Sequence, residues 1–289
     1  MINFLKFRPV YFLISLLVIG FGLFSIIRWG YKYSIDFVGG TSLEYQLNKK
    51  IQEQAVRNIF SGNKIEVVGL TIKNNILTVR TKTIDENREQ VLKKDLEKKF
   101  NMKIKTLKSE TVGPTLGRET MIKTMIASII AIIGIMIYMN IAFKSLHFAL
   151  SAILAMIHDF LVVVGSYSLL SHFFGAEVDT MFVTAVLTTM SFSVHDTIVI
   201  FDKIREYKSF GERIDIEEGA NKAITETMVR SLNNSMTIIF MLLALTLLGG
   251  NMIRFFVATL LIGTVTGTYS SPFVATPILV WLEKKSRKQ

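Results

Sequence analysis

The chain has 289 residues, a formal net charge of +10, 50% hydrophobic and 19% charged residues, and no cysteine. Disulfides, thiolate metal sites and cysteine nucleophiles are thereby excluded. The positive charge does not point to nucleic acid, because the basic residues gather at the ends of apolar runs and in one polar segment, and no base-reading motif is present; the composition is that of a membrane protein with one polar domain.

The first apolar run, Val10 to Ile27, follows Lys6 and Arg8. It is longer than a signal-peptide core and lacks a small-residue cleavage site, so it reads as an uncleaved anchor. With this run at about 10–29, further runs at about 122–142, 147–170, 180–201, 231–249 and 255–281 make six predicted spans, each near the roughly 20 residues a spanning helix needs. Six spans put both termini on one side. The connections Lys144 to His147 and Asp202 to Arg230, and the tail Lys284, Lys285, Arg287 and Lys288, are rich in Lys and Arg, whereas Ser171 to Asp179 carries only Glu177 and Asp179 as formal charges. The positive-inside rule then predicts cytoplasmic termini, an external polar segment of about 30–120, and a last external turn at Gly249-Gly250-Asn251.

Within the polar segment Thr41 to Leu47 alternates as a strand, Lys50 to Phe60 reads as a helix and Lys64 to Gly69 as a second strand. Asn74-Asn75 reads as a turn into a third strand, Ile76 to Arg80. Thr83-x-x-Glu86 has the form of a capping box opening a helix with the apolar stripe Ile84, Val91, Leu92, Leu96 and Phe100, and Lys103 to Lys108 closes the set as a fourth strand. The order β-α-β-β-α-β predicts a ferredoxin-like domain. The expected fold is therefore a polytopic α-helical membrane protein with six transmembrane helices and one extracytoplasmic α+β domain between the first two. Residues 1–29 form the N-terminus and first helix, 30–120 the external domain, and 121–289 the remaining helices and cytoplasmic tail.

Ionisable residues inside the predicted spans carry the functional expectation. The stretch Ser191-Phe-Ser-Val-His195-Asp196-Thr-Ile-Val-Ile-Phe201-Asp202-Lys-Ile-Arg205-Glu206 sets His195 and Asp196 in an otherwise apolar span. An ionised Asp at a helix centre costs roughly 2.5–3.5 kcal/mol on insertion scales, and such residues commonly serve ion or proton movement. Arg230 opens the fifth span from the side on which the fourth ends, at a depth similar to that of Asp196. Attraction to its guanidinium and loss of water act in opposite senses on the carboxyl proton, which would make a switchable site; the plainer reading is a fixed salt bridge between two helices. His158-Asp159, near the middle of the third span, is either a further relay group or a hydrogen bond that fixes packing. Neighbours about 100° apart on a helix let one of them face the fourth span while the other meets a different helix or water. Asp202, Arg205 and Glu206 fall at the cytoplasmic boundary, where a solvated or helix-pairing role is expected. Gly263-x-x-x-Gly267 permits close helix packing, and Pro272 and Pro277 should bend the last span. Gly39 and Gly40 make no phosphate loop, because no G-K-[ST] follows; with Asp36 they are expected to shape the start of the external domain. No cofactor or metal site and no ATP site is visible.

Several of these segments together resemble the SecF family, membrane subunits that work with SecD beside the protein-export channel. Asp36-Phe37-Val38-Gly39-Gly40-Thr41 is similar to the family's D-F-x-G-G signature, and Val112-Gly113-Pro114 with Gly117 and Glu119 to its V-G-P segment. Asp196, Thr197, Phe201, Asp202, Ile204, Arg205 and Glu206 match the block N-D-T-x-V-x-F-D-R-I-R-E, Arg230 to Thr237 follows the opening of span five, and Gly267 to Ser271 follows the span-six signature. The resemblance covers nearly the whole chain. It departs at His195, where the family usually has Asn, at Ser191 or its neighbour for a Gly, at Asn234 and Ile238 for threonines, and at Lys203 for Arg, which differs where bidentate geometry matters.

The resemblance implies a non-enzymatic subunit of the bacterial inner membrane that couples proton flow to late steps of protein export. It implies a proton-carrying Asp196 with Arg230, a SecD-like partner, the SecYEG channel and an unfolded translocating polypeptide. The alternatives are an exporter half of the resistance-nodulation-division type, which usually has two large external insertions where this chain has one, and a non-conducting structural subunit. Imidazole chemistry at His195 is not carried over, because an amide stands there in the family.

Overall fold

The computed structural model describes residues 3–49, 51–73, 75–143, 145–209, 215–250 and 253–286. The main elements in chain order are α1 (Arg8–Trp29), β1 (Gly40–Gln46), α2 (Glu53–Gly62), β2 (Val67–Lys73), β3 (Ile76–Thr81), α3 (Glu86–Phe100), β4 (Lys105–Val112), α4 (Pro114–Phe143), α5 (Leu146–Phe174), α6 (Thr180–Ser209), α7 (Ile216–Leu248), α8 (Arg254–Ser270) and α9 (Thr276–Ser286). Contacts divide them into a sheet unit, Tyr33–Met125, and a helical unit made of the rest.

The sheet unit is a four-stranded antiparallel sheet in the order β2-β3-β1-β4. Alternation along the strands sends Leu43, Tyr45, Leu77 and Val79 to one face, where Val56 and Phe60 of α2 and Leu92 and Leu96 of α3 complete the core. The capping box read at Thr83 and Glu86 is displaced: Asp85 is the cap, its Oδ1 accepting from the Arg88 amide at 2.8 Å. The preceding chain is fixed by Thr41 Oγ1, which accepts from the Ile84 amide at 3.1 Å. Val91 leaves the predicted stripe and is 50% exposed, because Leu92 and Leu96, four apart, already define the buried face and Val91 lies 100° from it. The second strand starts at Val67 rather than Lys64, which takes a left-handed φ of 58°, and the fourth runs on to Val112.

The two glycine motifs meet in this unit. Gly39 has φ 75°, and a Cβ there would stand 2.6 Å from the Pro114 Cα, while one on Gly117 would stand 2.8 Å from the Gly39 amide nitrogen. Only glycine allows this backbone crossing.

In the helical unit five helices are long and apolar enough to cross a membrane: Phe4–Trp29, Pro114–Phe143, Leu146–Phe174, Thr180–Lys208 and Ile216–Leu248. A further helical run, α8 to α9, is divided by a π-helical turn, Ser271–Ala275. Pro272 removes a ladder donor there, and the Thr276 amide bonds back five residues to the Ser271 carbonyl. α1 lies on α5 at two glycines: a Cβ on Gly22 would come within 2.8 Å of the Gly165 Cα. Ser25 and Ser168 hydroxyls bond at 2.8 Å, and Tyr31 Oη donates to the Val164 carbonyl at 2.9 Å on the same seam. α8 packs against α5, α6 and α7; a Cβ on Gly267 would stand 3.0 Å from the Ser193 Cα of α6, and one on Gly263 would collide with Thr189.

The stretch Asp202 to Arg230, read above as a connection, is largely helix, because α6 continues to Ser209 and α7 starts at Ile216. Asp215 caps α7, its side chain accepting from the Glu217 amide. Asn74, Lys144, Asn251, Arg287 and Lys288, which figured in the predicted turns and charge clusters, lie outside the described residues.

Candidate functional site

Asp196 is the buried acid of the longest polar block, 8% exposed on α6. Its surroundings are thinly furnished. Ser235 Oγ of α7 donates to Asp196 Oδ2 at 3.5 Å, and Thr268 Oγ1 of α8 donates to Ser235 Oγ at 2.7 Å. Ser231, one turn earlier on α7, also faces the carboxyl. A small groove runs beside it, lined by His195, Asp196, Asn234, Ser235, Ile238 and Thr268 among others. His195 is exposed at the groove, and Asp196, adjacent in sequence and buried, borders the same groove.

No ion pair joins Arg230 to Asp196 among the described residues. The α7 face toward α6 is Thr227, Ser231 and Ser235 at helical spacing, and Arg230, one step or 100° away from Ser231, is exposed. The predicted acid and cation thus share a helix pair but not a contact.

Asp159, 3% exposed on α5, is the opposite case. Its Oδ2 accepts from Ser193 Oγ of α6 and from Ser270 Oγ of α8, the latter at 2.6 Å, and its Oδ1 is 2.8 Å from His158 Nδ1. His158 Nε2 is 2.9 Å from Ser15 Oγ of α1. One residue pair therefore ties four helices together. Neighbouring polar contacts continue from Ser193, whose carbonyl accepts from Thr197 Oγ1 at 3.1 Å, to Ser271, whose hydroxyl lies 2.9 Å from that of Thr197.

The boundary charges stay at the surface. Arg205 meets Asp202 at 3.4 Å, and Lys203 meets Glu206 at 3.0 Å and Glu226 of α7 at 3.5 Å. Asp36 lies in the short helix Ile35–Val38, where its amide donates to the Ser34 cap at 3.2 Å. Gly39, Gly113 and Pro114 belong to the backbone crossing, and a Cβ on Gly40 would press on the Thr81 carbonyl oxygen at 2.6 Å. Among the described residues no three His, Asp or Glu side chains gather as a metal site requires.

Sequence reasoning missed the hydroxyls. Ser193 and Ser270 bond Asp159, Ser231 and Ser235 meet Asp196, and Ser15 and Thr268 stand one bond further out, on His158 and Ser235. It also missed a cluster at the helix ends where Lys208 pairs with Glu283 at 2.8 Å and His147 lies 3.5 Å from the same carboxylate. Beside it Lys284 pairs with Glu217, an interaction that holds the Lys284 ammonium above its ordinary range. Asn221 meanwhile accepts from the Leu5 amide at 3.1 Å.

Long apolar helices, a small sheet unit and carboxyls buried among the helices define a polytopic membrane protein built around intramembrane ionisable groups. A family model described as protein export membrane protein SecD/SecF, C-terminal, matches residues 91–285. The chain is 38% identical to the protein translocase subunit SecF of Thermobaculum terrenum, with 99% of this chain and 95% of that one covered. It is also 38% identical to the subunit of the same name from Anaerolinea thermophila, covering 97% and 94%. Among solved structures it is similar to SecDF of Thermus thermophilus, described as a translocon-associated membrane protein, with a TM-score of 0.85, 29% identity and 98% of this chain covered. A super-membrane-facing form of SecDF gives a TM-score of 0.72 at 28% identity. The chain spans 39% of the length of either SecDF chain. It belongs to the SecF family of protein translocase subunits.

Proposed function

We propose that this chain couples inward proton movement to late protein export, with Asp196 as the group that gains and loses the proton. The observation that carries this reading is a carboxyl on a membrane-length apolar helix that meets only the hydroxyls of Ser231 and Ser235 on α7, has no Lys or Arg partner among the described residues, and borders a groove. Burial and the hydroxyl donors act in opposite senses on its proton. His195 and Arg230, exposed beside the groove and along α7, complete the relay; polar groups at this depth call for water or a partner rather than lipid tails.

The partner that fits is a SecD-like chain supplying the facing half of the proton path, since this chain spans only part of the SecDF length. The same reading gives six spans, counting the divided α8–α9 run, and a ferredoxin-like external domain within residues 30–120, flanked by helical parts 1–29 and 121–289. Both termini are cytoplasmic and the membrane is the bacterial inner membrane. The external domain handles an unfolded polypeptide emerging from SecYEG. The chain acts as a coupling subunit rather than an enzyme. One charge crossing 100 mV supplies about 2.3 kcal/mol, enough to bias a two-state movement.

Replacing the chromosomal copy with Asp196→Asn and following secreted-precursor processing at matched membrane abundance tests this. Lost processing with normal partner retention supports it, and normal processing refutes it.

A further inference from the structure

His158 and Asp159 lie away from the groove, and their geometry goes beyond the role proposed for Asp196. The Asp159 carboxyl is offered three donors, Ser193 Oγ–H, Ser270 Oγ–H and an imidazole N–H. An ionised carboxylate, acceptor-only at both oxygens, is the form that matches three donors. The site then holds a negative charge among apolar helices, with no Lys or Arg paired to it among the described residues. The group within reach that can balance it is His158, 8% exposed, with Nδ1 on the carboxylate and Nε2 on Ser15.

We infer that Ser15, His158 and Asp159 form a second proton-binding site, buried in the helical unit and apart from the groove, in which His158 takes up the proton while Asp159 stays ionised. In the neutral state Nδ1–H donates to Asp159 and Nε2 accepts from Ser15 Oγ–H. When a proton from water reaches Nε2, the new N–H donates to Ser15 Oγ and the serine must turn its own O–H elsewhere; net charge at the site goes from −1 to zero. A helical serine ordinarily finds the carbonyl four residues back, here that of Tyr11, which already accepts from Tyr269 Oη of α8 at 2.8 Å. Proton uptake therefore sets Ser15 against Tyr269 for one acceptor and loosens the bond between α1 and α8. Tyr269 is the titratable side chain that faces the imidazole from α8, with ring centroids 6.4 Å apart. α6 presents Ser193, and α1 presents Ser15 with Tyr11 one turn away; His195 and Asp196 line the groove instead.

The test is nuclear magnetic resonance of the full chain in lipid nanodiscs carrying isotope-labelled histidine. The sequence has four histidines, and His158→Gln assigns the signal. The wild-type His158 should be the Nδ1–H tautomer when neutral and become doubly protonated as the pH is lowered. Asp159→Asn should convert the neutral form to mainly Nε2–H, and Ser15→Ala, the milder change, should shift the Nε2 resonance and leave Nδ1 in place. The inference is overturned if His158 keeps one protonation state at every pH at which the chain stays folded, or if its tautomer is indifferent to both variants. Running the series in Asp196→Asn separates the two sites: this site should titrate there unchanged, whatever that variant does to export.

Discussion

The two buried carboxyls differ in everything but depth. Asp159, 3% exposed, has three donors from three side chains, whereas Asp196 meets the hydroxyls of Ser231 and Ser235, the latter at 3.5 Å, and has a groove at its side. A carboxyl saturated with donors is held in one state by its surroundings, and a sparsely bonded one is free to change. Under the proposed function, the number of committed partners, and not burial alone, separates the proton-moving carboxyl from the other.

Function should break the comparison most visibly. If Asp196 carries charge across the membrane potential, Asp196→Asn forfeits a driving force of about 2.3 kcal/mol per charge per 100 mV, close to a fifty-fold bias, and precursor processing at matched abundance should fall by a factor of that order. Stability should reverse the ranking. Asp159→Ala strands an imidazole N–H and two serine hydroxyls, and should lower unfolding free energy by about 3 kcal/mol. Asp196→Ala should cost less, about 1–2 kcal/mol, the worth of bonds to the Ser231 and Ser235 hydroxyls. Equal losses, read from thermal unfolding in detergent, would erase the distinction.

The contrast between filled and open surroundings extends to residues without charge. Gly165→Ala drives a methyl into the Gly22 backbone and should cost about 1–3 kcal/mol through overpacking. Gly134→Ala, which meets nothing within 4 Å, should be neutral or gain up to about 1 kcal/mol in helix propensity. In the sheet unit Asp85→Ala removes a filled cap and should cost about 1 kcal/mol. The smallest effect is expected at Tyr45, fully buried, whose hydroxyl has no hydrogen-bond partner among the described residues. Burial, with the Glu89 charge adding to it, holds that phenol above its ordinary value and so neutral. Tyr45→Phe should shift stability by less than about 0.5 kcal/mol, since nothing is left unpaired; a large loss would reveal a partner.

Much of this was legible from residue order. Apolar runs gave the long helices, and alternation and turn residues gave the strand and helix order of the sheet unit. Asp159 and Asp196 stood out as acids in apolar segments. What sequence could not give was direction around a helix axis at single-residue resolution. Arg230 lies at the right depth for Asp196 but one residue off the contacting face, and Val91 is one residue off the buried stripe of α3. Helix ends were misjudged between Asp202 and Arg230 because charge marks the limit of an apolar run, not of a helix, and i,i+3 pairs such as Arg205 with Asp202 sit comfortably on helix beyond it. The hydroxyl partners were invisible because serine and threonine at a span position usually bond their own backbone, as Thr184, Thr188 and Thr246 do here. Only three-dimensional packing shows that Ser193 and Ser270 turn instead to one carboxylate.

The most direct test of the central claim is infrared difference spectroscopy of the full chain in lipid as pH is stepped. A protonated-carboxyl band that comes and goes with pH, disappears in Asp196→Asn and persists in Asp159→Asn is the predicted result. A band that follows Asp159 instead, or none that depends on Asp196, would contradict the assignment of proton movement to the open site.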